Sequence, residues 1–174
     1  AFRYADPGGA NYGFARSTPT YDKGLLYTLG RRGQLFCLKA DTGEQVWQRN
    51  LIQDFGGKIP QWNYASSPVV DGDRLIVAPG GPNANVVALN KLTGETIWAG
   101  GGTFEMAGYA TPVIATINEV KQYLVHTGDA LTGVRAEDGA LLWQIPWKTS
   151  YGVNASMPLV ESNYVFITSG YNMG

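Results

Sequence analysis

Three near-copies of one ten-residue phrase, a proline step that returns after 49, 44 and 46 residues, and short alternating strands between them predict an all-β chain, a β-propeller of four-stranded antiparallel blades. The phrase is LKADTGEQVW at Leu38–Trp47, LNKLTGETIW at Leu89–Trp98 and VRAEDGALLW at Val134–Trp143. The proline steps are Thr18-Pro19, Ser67-Pro68 and Thr111-Pro112, with Met157-Pro158 as a looser fourth. A glycine (Gly43, Gly94, Gly139) stands four residues before each tryptophan, whereas the tryptophans themselves are 51 and 45 residues apart. A constant Gly-to-Trp interval among variable ones marks a rigid turn-strand unit joined by looser loops.

Each copy divides into the same strands. In the first they are STPTY, LLYTL, QLFCL and EQVWQ. In the second, SPVVDGDRLIVAP is strand, turn, strand, and Asp71-Gly72 makes the turn because glycine accepts positive φ. NVVALN is the third strand, and LTGETIW is a turn and a fourth strand, with Gly94 in the left-handed position. The third copy has ATPVIATI, QYLVHT, LTGVRA and ALLWQI, and the fourth has only SMPLVE and YVFITSG. The prolines suit an edge strand, where a missing N–H costs little. No long apolar stretch of helical period competes. The blades are expected at about 15–52, 64–101, 108–147 and 154–174, the last incomplete, in one domain spanning 1–174.

Composition supports this reading and excludes others. With 44% hydrophobic and 16% charged residues, the chain is globular in composition. Its 23 glycines beside 5 Trp and 10 Tyr suit short strands and tight turns. Lys plus Arg number 13 against 14 for Asp plus Glu, so there is no electrostatic footprint for nucleic acid. No apolar run approaches the ~18 residues of a membrane-crossing helix. The opening AFRYADPGGA has no signal-peptide pattern. Cys37 cannot form an internal disulfide and is expected as a small buried hydrophobe on a strand.

The repeated phrase resembles the A-x-D-x-x-T-G-x-x-x-W motif of the PQQ-like (quinoprotein-type) β-propeller repeat family. Cys37, Ala88 and Gly133 hold the small position, and Thr42, Thr93 and Asp138 precede the glycines. The motif's Asp is replaced in every copy, by Lys39, Asn90 and Arg135. The family includes quinoprotein alcohol dehydrogenases and a propeller lipoprotein of outer-membrane assembly. The resemblance implies that each tryptophan docks on the neighbouring blade, making the phrase structural rather than a cofactor site. It also implies a bacterial periplasmic or extracellular location. The family usually has more than four blades, so three copies and a half are about half of a seven- or eight-bladed ring. The chain is then a fragment, or a second copy completes the ring. A four-bladed closure with AFRYAD supplying a strand is the less favoured alternative.

The stretches leading into each proline step, NYGFARSTP, PQWNYASSP, MAGYATP and YGVNASMP, are expected to line one mouth of the central channel. They gather Tyr12, Trp62, Asn63, Tyr64, Tyr109, Tyr151 and Asn154. Of these, Trp62, Asn63, Tyr64, Tyr109, Tyr151 and Asn154 are the candidate ligand-binding residues, since aromatic faces stack on flat ligands. Loop packing between blades is the competing and favoured reading. By resemblance this mouth would hold pyrroloquinoline quinone (PQQ) and calcium in a quinoprotein. The vicinal Cys-Cys pair common in alcohol-oxidising members is absent. Calcium needs six to eight oxygens, and Glu105 and Asn154 alone stand at the right end. His126 is expected on a strand as a structural histidine, Asp71 and Asp73 belong to a hairpin, and no zinc or Ser-His-Asp set is present. GGGTFEMAG has no helix after it and is no dinucleotide fingerprint; the Asn154-Ala155-Ser156 sequon heads a strand.

The expected function is a non-catalytic scaffold or binding module, with a protein or peptide partner at the mouth or a second copy completing the ring. No catalytic residue, metal or cofactor is assigned. The alternative is part of a PQQ- and calcium-dependent dehydrogenase of alcohols or sugars, which rests on resemblance alone.

Overall fold

A computed structural model describes residues 1–6, 15–102 and 105–170. Blade 1 is β1 (Thr20–Asp22), β2 (Leu25–Leu29), β3 (Gln34–Lys39) and β4 (Gln45–Asn50). A short helix, α1 (Leu51–Phe55), follows. Blade 2 is β5 (Val69–Asp71), β6 (Arg74–Val77), β7 (Val86–Asn90) and β8 (Thr96–Gly100). Blade 3 is β9 (Val113–Ile117), β10 (Val120–His126), β11 (Ala130–Arg135) and β12 (Leu141–Pro146). Blade 4 contributes the hairpin β13 (Leu159–Glu161) and β14 (Tyr164–Phe166). Each sheet is antiparallel with neighbours in chain order. This meander sends the links between blades, and those between second and third strands, to one end. The hairpins and the Thr-Gly-type turns lie at the other.

The spelling of the repeated phrase follows from the pairing. Cys37 lies opposite Trp47, Ala88 opposite Trp98 and Gly133 opposite Trp143. In blades 1 to 3 the register shifts just after this small residue, so the outer strand bulges there and turns its indole. Trp47 Nε1 donates to Lys91 O across to blade 2 at 3.0 Å, and Trp98 Nε1 donates to Ala136 O of blade 3 at 3.2 Å. Each indole lies on the next blade's turn glycine. A Cβ on Gly94 would meet the Trp47 ring at 2.8 Å, and one on Gly139 the Trp98 ring at 2.5 Å. Trp143 departs from the expected crossing: its Nε1 donates to Gln122 Oε1 in its own sheet at 2.7 Å. The described part of blade 4 has no turn to receive it.

Burial falls between blades. Tyr27, Trp47 and Leu29 of blade 1 meet Leu75, Val77, Val87 and Leu89 of blade 2, with Leu51 and Phe55 of α1 closing the outer end. Ile76, Val86, Ala88 and Trp98 meet Tyr123, Val125 and Val134 of blade 3. Ala115, Ile117 and Leu124 meet Val160 and Val165 of blade 4. The opposite face of that hairpin is uncovered, with Leu159, Tyr164 and Phe166 exposed. On the upstream side of blade 1, Phe2 lies edge-on to Phe36 with ring centres 4.9 Å apart. Phe2 also borders Gly43, the position that Trp47 covers on Gly94.

The strand pattern does not anticipate α1. Asn50 ends β4 and caps the helix, its side chain accepting from Ile52 N and Gln53 N, and Gly56 closes it in the left-handed conformation. Cys37 is fully buried on β3, and desolvation pushes its thiol up to about 11.

Candidate functional site

The mouth is built from the links that enter each innermost strand, and hydrogen bonds step from blade to blade around it. Thr18 N donates to Ser67 Oγ at 2.9 Å, and Ser67 N donates to Thr111 Oγ1 at 3.0 Å. The residue before Pro68 and Pro112 is thus Ser or Thr because its hydroxyl takes the preceding blade's N–H. Thr20 Oγ1 adds a bond to Pro68 O at 2.6 Å. One layer outward, Arg16 donates to Trp62 O, Trp62 N donates to the Tyr109 hydroxyl at 3.1 Å, and Tyr109 N donates to Asn154 O at 3.0 Å. Burial raises the pKa of Tyr109, whose hydroxyl serves here as acceptor.

The candidate residues therefore separate. Tyr64 has no exposed surface and donates to Pro79 O at 2.7 Å, so it supports the rim from beneath. Asn154 is likewise fully buried. Its Nδ2 faces Thr127 O, Gly128 O and Trp147 O, and its Oδ1 accepts from Thr149 Oγ1 at 3.1 Å. Each of these two satisfies buried backbone or side-chain groups that water cannot reach. Trp62, Asn63 and Tyr109 are half-buried on the rim, and Asn63 is held at φ 68°. Tyr151 is 59% exposed at φ 61°, in a 3-10 turn at Ser150–Gly152. Tyr12 lies outside the described residues.

The calcium donors suggested by resemblance are engaged elsewhere. The buried Glu105 carboxylate accepts from Thr127 Oγ1 and Gln144 Nε2, and the Asn154 amide is committed as above. Among the described residues no group of three or more His, Cys, Asp and Glu is placed to hold a metal ion. Among the described residues the two suggested calcium donors are thus committed to other partners, and no chemistry is routed through a PQQ–calcium pair. Arg16, Ser67 and Thr111 were missed as rim residues. Part of the signal is positional, since Arg16 and Tyr109 each stand three residues before a step proline, Pro19 and Pro112, whereas Trp62 stands six before Pro68.

A second set of links closes the far end. Lys91 Nζ pairs with Asp22 at 2.7 Å, and Asp71 accepts from Lys121 Nζ and, at 2.7 Å, from the Tyr123 hydroxyl. Arg74 donates to Ala136 O, which also receives the Trp98 indole.

Sheets in chain order, clamped by indoles and by hydroxyl rungs near the axis, define a PQQ-like β-propeller. The chain belongs to the family described as "Outer membrane protein assembly factor BamB", whose model matches residues 8–174. It is 26% identical over 135 residues to the outer membrane protein assembly factor BamB of Yersinia pestis, covering 76% of this chain and 32% of that protein. It is 27% identical over 149 residues to the quinoprotein alcohol dehydrogenase PedH of Pseudomonas putida, covering 80% of this chain and 24% of that one. The crystal structure of BamB from Moraxella catarrhalis matches with a TM-score of 0.55 at 18% identity, over 83% of this chain and 39% of that chain. The chain thus spans a third or less of these two curated relatives.

Proposed function

We propose that this chain is a non-catalytic propeller module that presents the mouth rim to a protein or peptide partner. The observation that carries the reading is the relay Arg16–Trp62–Tyr109–Asn154. It ties polar groups of successive rim loops to one another beneath a rim on which Tyr151 is 59% exposed. A rim whose ordering cost is already met in the free protein loses little entropy on binding. Kinship with a family named for outer-membrane assembly supports a protein partner and a periplasmic or extracellular setting. No helix among the described residues is long and apolar enough to cross a membrane, which leaves β-barrel spans untouched.

The test uses a displayed peptide library selected on the immobilised chain. Tyr151→Ala should weaken the selected peptides about tenfold, as loss of a central aromatic anchor does. Leu92→Ala, at an exposed far-end turn, should leave them unchanged. Peptides insensitive to Tyr151→Ala overturn the reading. So does retention of quinone absorbance through gel filtration after addition of PQQ and calcium, with dye reduction by an alcohol; that result favours the dehydrogenase alternative suggested by PedH.

A further inference from the structure

Blade 4 is seated differently from the blades before it. Met157 stands where Ser67 and Thr111 supply a hydroxyl, so the rung between blades 1 and 2 and between blades 2 and 3 has no counterpart at the third seam. The Trp143 indole stays in its own sheet. At this seam an imidazole takes a position that is apolar elsewhere. By strand register His126 corresponds to Leu29 and Ala78, and all three are buried. His126 Nδ1 lies 3.3 Å from Ser156 O, at the entry to β13, and its Nε2 is buried with no hydrogen-bond partner among the described residues.

We propose that His126 is an acid-responsive latch, whose protonation unseats the β13–β14 hairpin from blade 3 and loosens the adjoining rim. A neutral imidazole tolerates one bare nitrogen. The imidazolium carries two N–H donors and a charge, and burial without partners penalises both. Movement of the hairpin relieves this by admitting water. Burial lowers the His126 pKa and the Ser156 carbonyl partly opposes that. The sign follows. With the hairpin open the imidazole has its ordinary value of about 6.5. The closed seat is therefore favoured above that pH. The opening constant rises by up to about tenfold per pH unit as pH falls below it, until the buried value is reached.

The surrounding elements bring few charges. The 105–112 loop brings Glu105, bound to Thr127 and Gln144, and Asp129 after β10 faces Lys148 at 3.8 Å. β9 has no charged residue, and the 150–158 link has only Tyr151 as a titratable group. Arg135 and Glu161 lie at the far ends of β11 and β13.

The chain has 1 histidine, so a single imidazole resonance reports the event. In the native chain it should titrate below 6.5. Amide exchange at Leu159–Glu161 and Tyr164–Phe166, corrected for intrinsic pH dependence, should rise about tenfold from pH 7.5 to 5.5. Exchange in β6 and β7 should not change. His126→Leu, matching Leu29, should flatten that rise, and Glu105→Gln should preserve it. An imidazole that titrates at 6.5 or above, or a rise that survives His126→Leu, overturns the proposal. If His126→Leu does not fold, the native titration and exchange decide alone. The inference concerns the seam and is independent of whether the rim binds a partner.

Discussion

Trp47, Trp98 and Trp143 occupy equivalent places in the sequence and unequal ones in the structure. The first two are buried against the next blade and donate to its backbone; the third is half-buried and bonded within its own sheet. Trp98→Ala should therefore cost about 3–5 kcal/mol in urea unfolding, and Trp143→Ala about half of that or less. Equal losses would mean that the crossing bond and the burial contribute nothing. The periodicity made the indoles legible, but the third seam's difference depends on what stands opposite, which a repeat does not encode. Tyr64 and Asn154 were expected to face a ligand and the structure buries both, a difference with a related reason. A tyrosine or an amide in a loop spells a ligand contact and a buried strut identically, and only the position of Pro79 O, or of three carbonyls around Asn154, separates them. Cys37 offers a probe of the first core. With its thiol raised to about 11 by burial, almost none of it is thiolate at pH 8, so alkylation should proceed only through unfolding. Labelling at a rate independent of urea would contradict this.

At the scale of the element, the turn before the outer strand shows why glycine recurs there. Gly139 has φ 78° and the Trp98 ring directly over it, so Gly139→Ala meets both backbone strain and a clash. Gly72, at φ 59°, faces open space in a hairpin. Gly72→Ala should cost about 1–2 kcal/mol from backbone strain alone, and Gly139→Ala distinctly more. Thermal melts of the two variants check the order. The strands, the hairpins and the Ser/Thr-Pro steps were readable because period and turn chemistry are local. Helix α1 was not, since LIQDF is a single turn and a half whose formation rests on the Asn50 cap and on burial of Leu51 and Phe55 between blades. Edge-strand tolerance of proline was inferred correctly as chemistry, but the hydroxyl beside it proved to be the more informative residue.

Across the whole molecule, three apolar seams separate four sheets, and the outer face of the last hairpin is open. Tyr164 and Phe166 are 80% and 63% exposed there, a surface that Tyr27, Ile76 and Leu124 have covered in the other blades. We propose that the blades are an arc of about half a seven- or eight-bladed ring, whose continuation is further chain or a second copy. As it stands, the chain should self-associate with rising concentration, and Phe166→Glu should suppress this in light scattering. A monomer at all concentrations would argue against a second copy. The repeat revealed the four-stranded sheets, while the completion of a ring depends on surfaces rather than spacing. The links that end on backbone carbonyls or on the step hydroxyls have a direction: the Trp47 and Trp98 indoles, Arg16, Arg74, the Thr18 and Ser67 amides, and Arg49, which donates to Gly94 O at 2.7 Å, all donate to the blade that follows, while Lys91, Lys121 and Tyr123 donate back to Asp22 and Asp71. Trimming from the two ends is consequently unequal. On the backbone, loss of the first sheet strands the Pro68, Lys91 and Gly94 carbonyls, which endure a missing partner comparatively well, whereas loss of the last strands the amides of Tyr109 and Ala110, which do not. Deletion series begun from opposite termini should for that reason lose solubility at different lengths.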